Sequence, residues 1–599
     1  MPGNRSRWVL LLAAGLGLAG CATPFGPDNT EQALRRRIAS AVPDELAALG
    51  TDESLLQISQ PAGEVEAALS QRWSELDEIG PTVPFPRGEL DLGADLTGGE
   101  QKEVALSLRS AIVTAVRNNL SIQVARLRPA ISEADVVAAE AVFDAVFLGS
   151  VDLSKIDEPI PALVVGAVPV GVPFSASERF RFETGVRTLF RSGGTVTLST
   201  DLTRFRNRSP GLTFSPDPAY TAAIRVGLEQ PLLRGFGRSV NTTFIRLARN
   251  VERRSIQELR SELLDLLIAM ESAYWDLVFT WQDLAIQEWL LAVGIEVRDI
   301  MDRRRDFDTR PAQYSDAVAR VEQRKGNVIR ARRAIRAASD QLKVLINDPK
   351  LTVGSEAILV PVDQMVEKPF SYNLREAILT TVANRPEIKQ AILLIDDSAI
   401  RETLADNQRL PLLNFSAQLA YFGLDDAGGK AYDELFGADF IDYLLGLRFE
   451  WPIGNRAAES GYRRARLERS TAVFGYQQAV QNVVVDTKAA LRDCITDYEL
   501  IQASRSFRIA QAENLRALLV EEEMLAGLTP EFLNLKFQRQ ETLATAQQQE
   551  TRALVSYNKS VAGLHRAMGV SLAMNQIELE VDNEPGLPAT KDALPRRRD

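Results

Sequence analysis

Two cysteines, Cys21 and Cys494, and a single histidine, His565, are all that the 599 residues offer for thiol or imidazole chemistry. Zinc sites and histidine-based acid–base catalysis need such side chains in sets, so this inventory leaves almost no room for either. A disulfide framework is equally implausible. Cys494 falls within a helical pattern, where a lone thiol reads as a small core residue. The stretch closest to a phosphate-binding loop, Gly423 through Lys430, lacks both the spacing and the Ser/Thr that must follow the lysine. No nucleophile–base set is visible, so the chain is expected to be no enzyme and to need no metal or cofactor. That leaves Cys21 and its setting. Arg5 and Arg7 precede an apolar run from Trp8 to Leu18, and Leu18-Ala19-Gly20 lead directly into the cysteine. A charged segment followed by an apolar run too short to span a bilayer is the pattern of a secretory signal.

Small residues immediately before a cysteine at that point resemble the bacterial lipoprotein signal. The resemblance implies removal of residues 1–20 and lipid on the sulfur and new amine of Cys21. Ala22, rather than Asp, in the next position favours sorting to the outer membrane. The alternative is an ordinary secretory signal with a chance cysteine. No other uninterrupted apolar stretch of about twenty residues exists, so no membrane-spanning helix is expected. A chain of this kind can cross a membrane only as a closed β-barrel. The net charge of −11 argues against a nucleic-acid partner.

Four segments alternate as such strands would. Leu413, Phe415, Ala417, Leu419 and Tyr421 are apolar with Asn414, Ser416 and Gln418 between them. Tyr443, Leu445, Leu447, Phe449 and Trp451 alternate with Gly446, Arg448 and Glu450. Tyr220, Ala222, Ile224, Val226 and Leu228 alternate with Thr221, Arg225 and Glu229, and Phe147, Val151 and Leu153 do so more weakly. One apolar and one polar face over nine or ten residues fits a strand with lipid outside and water inside. A half-buried soluble sheet alternates in the same way, and it is the signal at Cys21 that favours the membrane. Tyr421, Tyr443 and Trp451 are the expected membrane-interface aromatics.

The elements holding these strands occur twice. Leu108-Arg109, Ala111-Ile112, Thr114, Val116 and Asn118 recur 266 residues later as Leu374-Arg375, Ala377-Ile378, Thr380, Val382 and Asn384. Glu229 and Pro231 match Glu450 and Pro452 at an offset of 221, and Leu342 matches Leu564 at 222. The first copy therefore holds about 44 extra residues, between roughly Asp135 and Arg225. They contain a candidate hairpin, Phe180–Phe190 and Thr195–Thr203, that could either extend a barrel or form an external loop. Each copy also carries a very long helical pattern. Leu259, Leu263, Leu266, Met270, Ala273, Leu277 and Leu284 form a coiled-coil seam within a proline-free run from about Asn241 to Phe307. Such a helix spans on the order of 100 Å. After a break at 309–313 it returns, with Val321, Val328, Ile335 and Leu342 seven apart. The second copy runs from about Asn455 to Ala526, breaks at Gly527-Leu528-Thr529-Pro530, and returns to about Met568.

Helix, strand, strand, long helix, break and return helix, twice over behind a lipid signal, resembles the TolC-like outer membrane efflux protein family. So does the local wording: Glu229-Gln230-Pro231-Leu232-Leu233-Arg234-Gly235-Phe236-Gly237, Trp451-Pro452-Ile453-Gly454-Asn455-Arg456 and Arg385-Pro386-Glu387. The likeness covers roughly Leu106 to Val570. It implies a mainly α protein with a transmembrane β-barrel portion: a homotrimer with an α-helical tunnel and a 12-stranded β-barrel. Such a protein is a passive exit duct of a tripartite efflux pump or type I secretion system in a Gram-negative outer membrane. Its partners would be a periplasmic adaptor (membrane fusion) protein, an inner-membrane pump or ABC transporter, and outer-membrane lipid. The alternative is a non-conducting coiled-coil lipoprotein that tethers the outer membrane across the periplasm.

The expected domains are a signal peptide (1–20), an anchor, lead and linker (21–105), a first repeat (106–350) with an inserted hairpin region at about 155–219, a linker (351–371), a second repeat (372–570) and a tail (571–599). The resemblance also places a gate and adaptor-docking surface at the helix reversals. Gly527 and Leu528 keep the family's tip dipeptide, while Asn534 stands where an aspartate is usual. In the first repeat Asp316 fits the aspartate, but Asp308-Thr309-Arg310 replaces the glycine turn. An acidic ring at a constriction selects cations, although Asp316 is also well placed merely to face solvent at a helix start. Charge runs 303–305 and 521–523 suggest a latch between neighbouring hairpins, with Arg304 against Glu522, or simply two solvated faces. The cargo is not legible.

Overall fold

A computed structural model of the chain describes residues 30–47, 56–57, 68–69, 72–81, 92–93, 96, 102–159, 161, 163–165, 168–170, 174–209, 213–524 and 529–578. Cys21, the signal segment, Gly527, Leu528 and most of the tail lie outside the described residues. Contacts divide the chain into a sheet-bearing unit, residues 130–253 and 392–474, and a helical unit, residues 31–129, 254–391 and 475–578.

The helical unit shows the duplication element by element. A short parallel strand pair, β1 (Glu103–Leu106) and β6 (Ile358–Pro361), joins the two copies. Helix α2 (Leu108–Asn118) and its counterpart α6 (Leu374–Asn384) begin at equivalent positions because each has a side-chain cap. Ser107 Oγ accepts from Ser110 N–H at 3.3 Å, and Asn373 Oδ1 accepts from Glu376 N–H at 3.0 Å. Helices α3 (Leu120–Glu140) and α7 (Pro386–Gln408) follow. The long helices are α4 (Thr243–Arg303) and α9 (Arg456–Met524), with return helices α5 (Pro311–Ile346) and α10 (Pro530–Ala567). Both return helices start on a proline, whose missing N–H costs nothing in a first turn. The expected seam is the core: Leu259, Leu263, Leu266, Met270, Ala273, Leu277 and Leu284 are buried with Val328, Ile335 and Leu342 in one cluster. The polar break in that seam, Thr280, donates its hydroxyl proton to the Leu277 carbonyl at 2.8 Å.

Two described parts of the lead pack on this unit. Helix α1 (Glu31–Ala47) buries Leu46 against Ile378 and Val484. Leu76 is buried among Ile509, Ala512, Leu515 and Leu543.

The sheet unit corrects the expected number of strands. Four were read from the pattern, with a further hairpin left open; apart from the separate pair Leu163–Val165 and Val168–Val170, the structure joins six in one sheet. They are β2 (Val146–Pro159), β3 (Phe174–Leu189), β4 (Thr195–Asn207), β5 (Ala219–Pro231), β7 (Leu412–Asp425) and β8 (Phe440–Glu450). Their order is β8-β7-β5-β4-β3-β2, and every neighbouring pair is antiparallel. The extra hairpin, β3–β4, is built into the sheet between β2 and β5. In the second repeat the equivalent segment is a helix, α8 (Gly428–Gly437), which joins β7 to β8.

Candidate functional site

The sheet register sorts its side chains into two faces. Opposed residues on antiparallel strands point the same way, so each row of partners belongs to one face. One such row is Phe147, Val186, Leu198, Val226, Leu419 and Tyr443. Parallel to it run Val151, Phe182, Leu202 and Ala222, and, nearer the helices, Val196, Leu228, Ala417 and Leu445. This face is apolar yet open: Leu153 and Tyr443 are both 81% exposed and Leu445 is 72% exposed. Along β2 the apolar residues run from Phe147 to Leu153, and along β8 from Ile441 to Phe449. At about 3.3 Å per residue these spans are roughly 20 to 30 Å, close to the apolar band of a membrane barrel. Past the band the same face turns charged, at Lys155 and Asp157 on β2, Glu178 on β3, Arg204 and Arg206 on β4, and Asp425 on β7.

The other face is polar. It carries Arg187, Thr197, Gly227 and Gln418 in one row, and Asp152, Arg181, Thr203 and Thr221 in another. Asp201 is only 4% exposed there, ion-paired with Arg225 and 3.9 Å from Arg181, which also holds Glu183 at 3.0 Å. Arg225 also lies 5.4 Å from the centre of the Phe422 ring. A recess of about 590 Å³ opens on this face between Asp144, Arg187, Thr195, Ser199, Arg225 and Glu229. Neither the Asp201 cluster nor the seating of α8 was legible in the sequence, since both depend on which strands become neighbours.

Of the expected interface aromatics, Trp451 follows the end of β8 and is half exposed, and Tyr443 projects from the apolar face. Tyr421 differs: α8 lies over this part of the apolar face and packs on Tyr421, Tyr220, Ala222 and Ile224 through Ala431 and Leu435. The Thr200 and Tyr432 hydroxyls are hydrogen-bonded at 3.0 Å. The helix can sit this close because Gly423 has no side chain; a Cβ there would overlap the Ala431 carbonyl oxygen.

In the helical unit, the two reversals pack together through Val297, Met301, Ala317, Leu533 and Phe537. Asp316 is exposed and pairs with Arg320 one turn on, at 3.4 Å. Within the chain, Arg304 and Glu522 each have a partner close by in sequence rather than one another. Arg304 holds Asp308 across its own turn, keeping that carboxyl below the usual carboxylate range. Glu522 holds Lys536 of its own hairpin at 2.6 Å. A local partner reached with less loss of side-chain freedom wins over a distant one. Asn534, in the place of the expected aspartate, has its Oδ1 buried without a hydrogen-bond partner. Nothing in the sequence singled out Arg324. It is buried between helices, donating to the Leu290 carbonyl at 2.8 Å and the Phe537 carbonyl at 3.3 Å, with its guanidinium 5.0 Å from the Phe537 ring centre. Burial pushes its pKa down to about 10. Cys494 is fully buried, as a core thiol should be, and burial pushes it up to about 11. Among the described residues no acidic, histidine and cysteine group could hold a metal ion, and no helix is long and apolar enough to cross a membrane.

No protein-family model matches the chain. No curated protein matches it in sequence. Solved structures do match in fold. The Campylobacter jejuni CmeC outer membrane channel aligns with a TM-score of 0.57 at 14% identity, over 86% of this chain and 99% of its own. The open state of the Neisseria gonorrhoeae MtrE outer membrane channel aligns at 0.52 and 16% identity, over 82% and 98%. The outer membrane protein VceC of Vibrio cholerae aligns at 0.53 and 14% identity, over 77% and 96%. The fold is therefore the one these outer-membrane channels share, a mostly helical chain bearing a strand sheet. A mostly helical chain with a sheet is the coarse fold that the resemblance to TolC-like proteins implied.

Proposed function

We propose that the protein is a TolC-like outer-membrane channel, the passive exit duct of an efflux or type I secretion assembly. The observation that carries this reading is the sheet with one wide, exposed apolar face and one charged face. A soluble protein seldom leaves so large an apolar surface open. In a bilayer the same surface contacts lipid, and the charged face lines water.

The two outer strands, β2 and β8, each leave one edge unpaired in the chain. Open edges are not tolerated in hydrocarbon, so the sheet closes with further copies, three in the reading adopted here. Six strands, an even number, put antiparallel edges at the two sides, and identical copies can then join around a ring without breaking the alternation. The helical hairpins lie in the periplasm, where their reversals meet an adaptor protein that connects to an inner-membrane pump. Cys21 carries the lipid anchor. A coiled-coil tether would account for the long helices but would have no use for a two-faced sheet.

The test is conductance. Purified full-length protein inserted into planar bilayers gives discrete, stepwise currents if it is a channel. Protein that runs as an oligomer and inserts, yet passes no current even in the open state, sinks the reading in favour of the tether.

A further inference from the structure

We infer that the inserted β3–β4 hairpin is part of the membrane wall, so that the pore is bounded by eighteen strands rather than twelve. The inference rests on the three-copy channel reading above; what it adds is the composition and width of the barrel.

Three independent features place the hairpin in the wall. The first is its pairing. β3 is matched to β2 from Phe174 to Arg187 and to β4 over the whole length of β4, and β4 is matched to β5 from Thr195 to Phe205. A hairpin folded out as a loop would leave β2 and β5 adjacent, and here they are two strands apart.

The second is the continuity of both faces. Phe182, Val186, Val196, Leu198 and Leu202 extend the apolar face without a break from β2 to β5. Arg181, Glu183, Arg187 and Asp201 extend the polar one, and the Asp201–Arg225 ion pair ties the hairpin to a strand that carries the family pattern. A one-residue slip of the register would have inverted both faces.

The third is how the hairpin turns. Its short turn, Arg191–Gly194, lies at the end of the sheet where β5 passes into the helices. The Gly237 N–H donates to the Ser192 carbonyl at 3.0 Å, and the Ser192 hydroxyl donates to Gln230 Oε1 at 3.1 Å. Gly193 has φ +93°, and a Cβ on it would run into the Gly235 carbonyl oxygen and the Asn241 amide. The turn is fitted to this junction. The long connections, residues 160–173 and 208–218, leave at the opposite end of the sheet. Short turns on the periplasmic side and long loops outside are the arrangement of a membrane barrel.

Six strands from each of three copies give eighteen. Barrel diameter grows roughly linearly with strand number, so the wall is about half as wide again as a twelve-stranded one. Barrels of that size hold an open aqueous channel. The added arc of lumen is lined by the arginine and carboxylate groups of β3 and β4, which makes this exit suited to bulky, hydrated cargo.

The test uses the full chain in lipid. Electron cryo-microscopy of the ring should show eighteen wall strands; a wall of twelve, from a trimer with the hairpin folded outside or from a dimer, overturns the inference. Single cysteines at Val186 and Leu198 should react at least about tenfold more slowly with a water-soluble maleimide than cysteines at Arg187 and Thr197, because lipid shields the first pair. Cys494 is buried and stays silent. Equal reaction at all four positions overturns the inference. A variant with residues 155–218 replaced by a tight turn, which sets Ser154 opposite Ala219 and so Phe147 opposite Val226, should give a ring about two-thirds as wide. If that variant misfolds, the strand count and the labelling of the unshortened chain still decide. Eighteen wall strands in a ring that never conducts would leave this inference standing while defeating the channel reading.

Discussion

The two repeats share one plan, and they differ most in what joins their two patterned strands. In the first repeat, β2 and β5 are bridged by a hairpin that enters the sheet. In the second, β7 and β8 pair directly, and the bridge is a helix laid on the apolar face. Both bridges leave and return at the same end of the sheet, so neither disturbs the helices that follow. The comparison teaches how such a sheet can change its width: strands are added in pairs, because a single added strand would reverse every direction after it.

The hairpins differ in a second way. Where α9 carries Arg505 and Arg508, the 221-residue offset places Leu284 and Gln287 on α4. Arg508 and Arg505 both grip Glu550 of α10, Arg505 at 2.9 Å, and Arg508 also reaches Asp77 of the lead at 2.7 Å. The hydrogen bond to Glu367 is the largest influence on Arg505, holding it more firmly protonated than a free arginine. The first repeat fills the same positions with uncharged side chains, and the second with charges that also fasten the lead.

The largest expected effect comes from breaking that ionic cluster. Glu550→Gln leaves two largely buried guanidinium groups short of a carboxylate, which costs about 3–5 kcal/mol. Replacing Arg505, Arg508 and Glu550 together with apolar residues, as at Leu284, should be near neutral. Thermal unfolding in detergent separates the two. A single mutant as stable as the triple would show that the cluster carries no weight.

A smaller effect is expected where α8 meets β7. Gly423→Val puts a side chain into the Ala431 carbonyl, and overpacking of this kind costs about 1–3 kcal/mol. The equivalent residue of the first repeat, 266 earlier, is Asp157, which is exposed. Asp157→Val should therefore leave the unfolding midpoint within a degree or so of the parent. Equal losses at both positions would mean that α8 does not distinguish the repeats.

The smallest effect concerns pH. His565 stands where the first repeat has Lys343, 222 residues earlier. Lys343 is buried but held by Asp340 and the Ser355 carbonyl. His565 is desolvated, and burial lowers its pKa from 6.5. The unfolded chain then takes up its proton before the native one does, so stability falls as the pH drops below about 6.5 and levels off below the depressed native value. In His565→Gln that part of the acid sensitivity should vanish. A variant whose melting temperature between pH 7.5 and 5.5 still falls as steeply as the parent's would remove His565 as its source.

The sequence by itself determined the elements whose signal is local. Seam spacing located α4, α5, α9 and α10 to within a few residues, and the repeat at offset 266 set α2 beside α6 as counterparts. Alternation assigned faces to β5, β7 and β8, and the change of offset from 266 to 221 located the insertion. Helical and strand periods are written into the chain residue by residue, so they can be read without knowing any neighbour. Only the tertiary structure decided where the insertion goes, that Tyr421 lies under a helix, that Asp201 is buried between arginines, and that Arg304 turns to Asp308 instead of Glu522. Each of these depends on which segments become neighbours, and that is set by competition between partners far apart in the chain. The pattern of β3 and β4 served a loop or a wall equally well. Pairing on both sides, which satisfies the backbone groups of both strands, put them in the sheet.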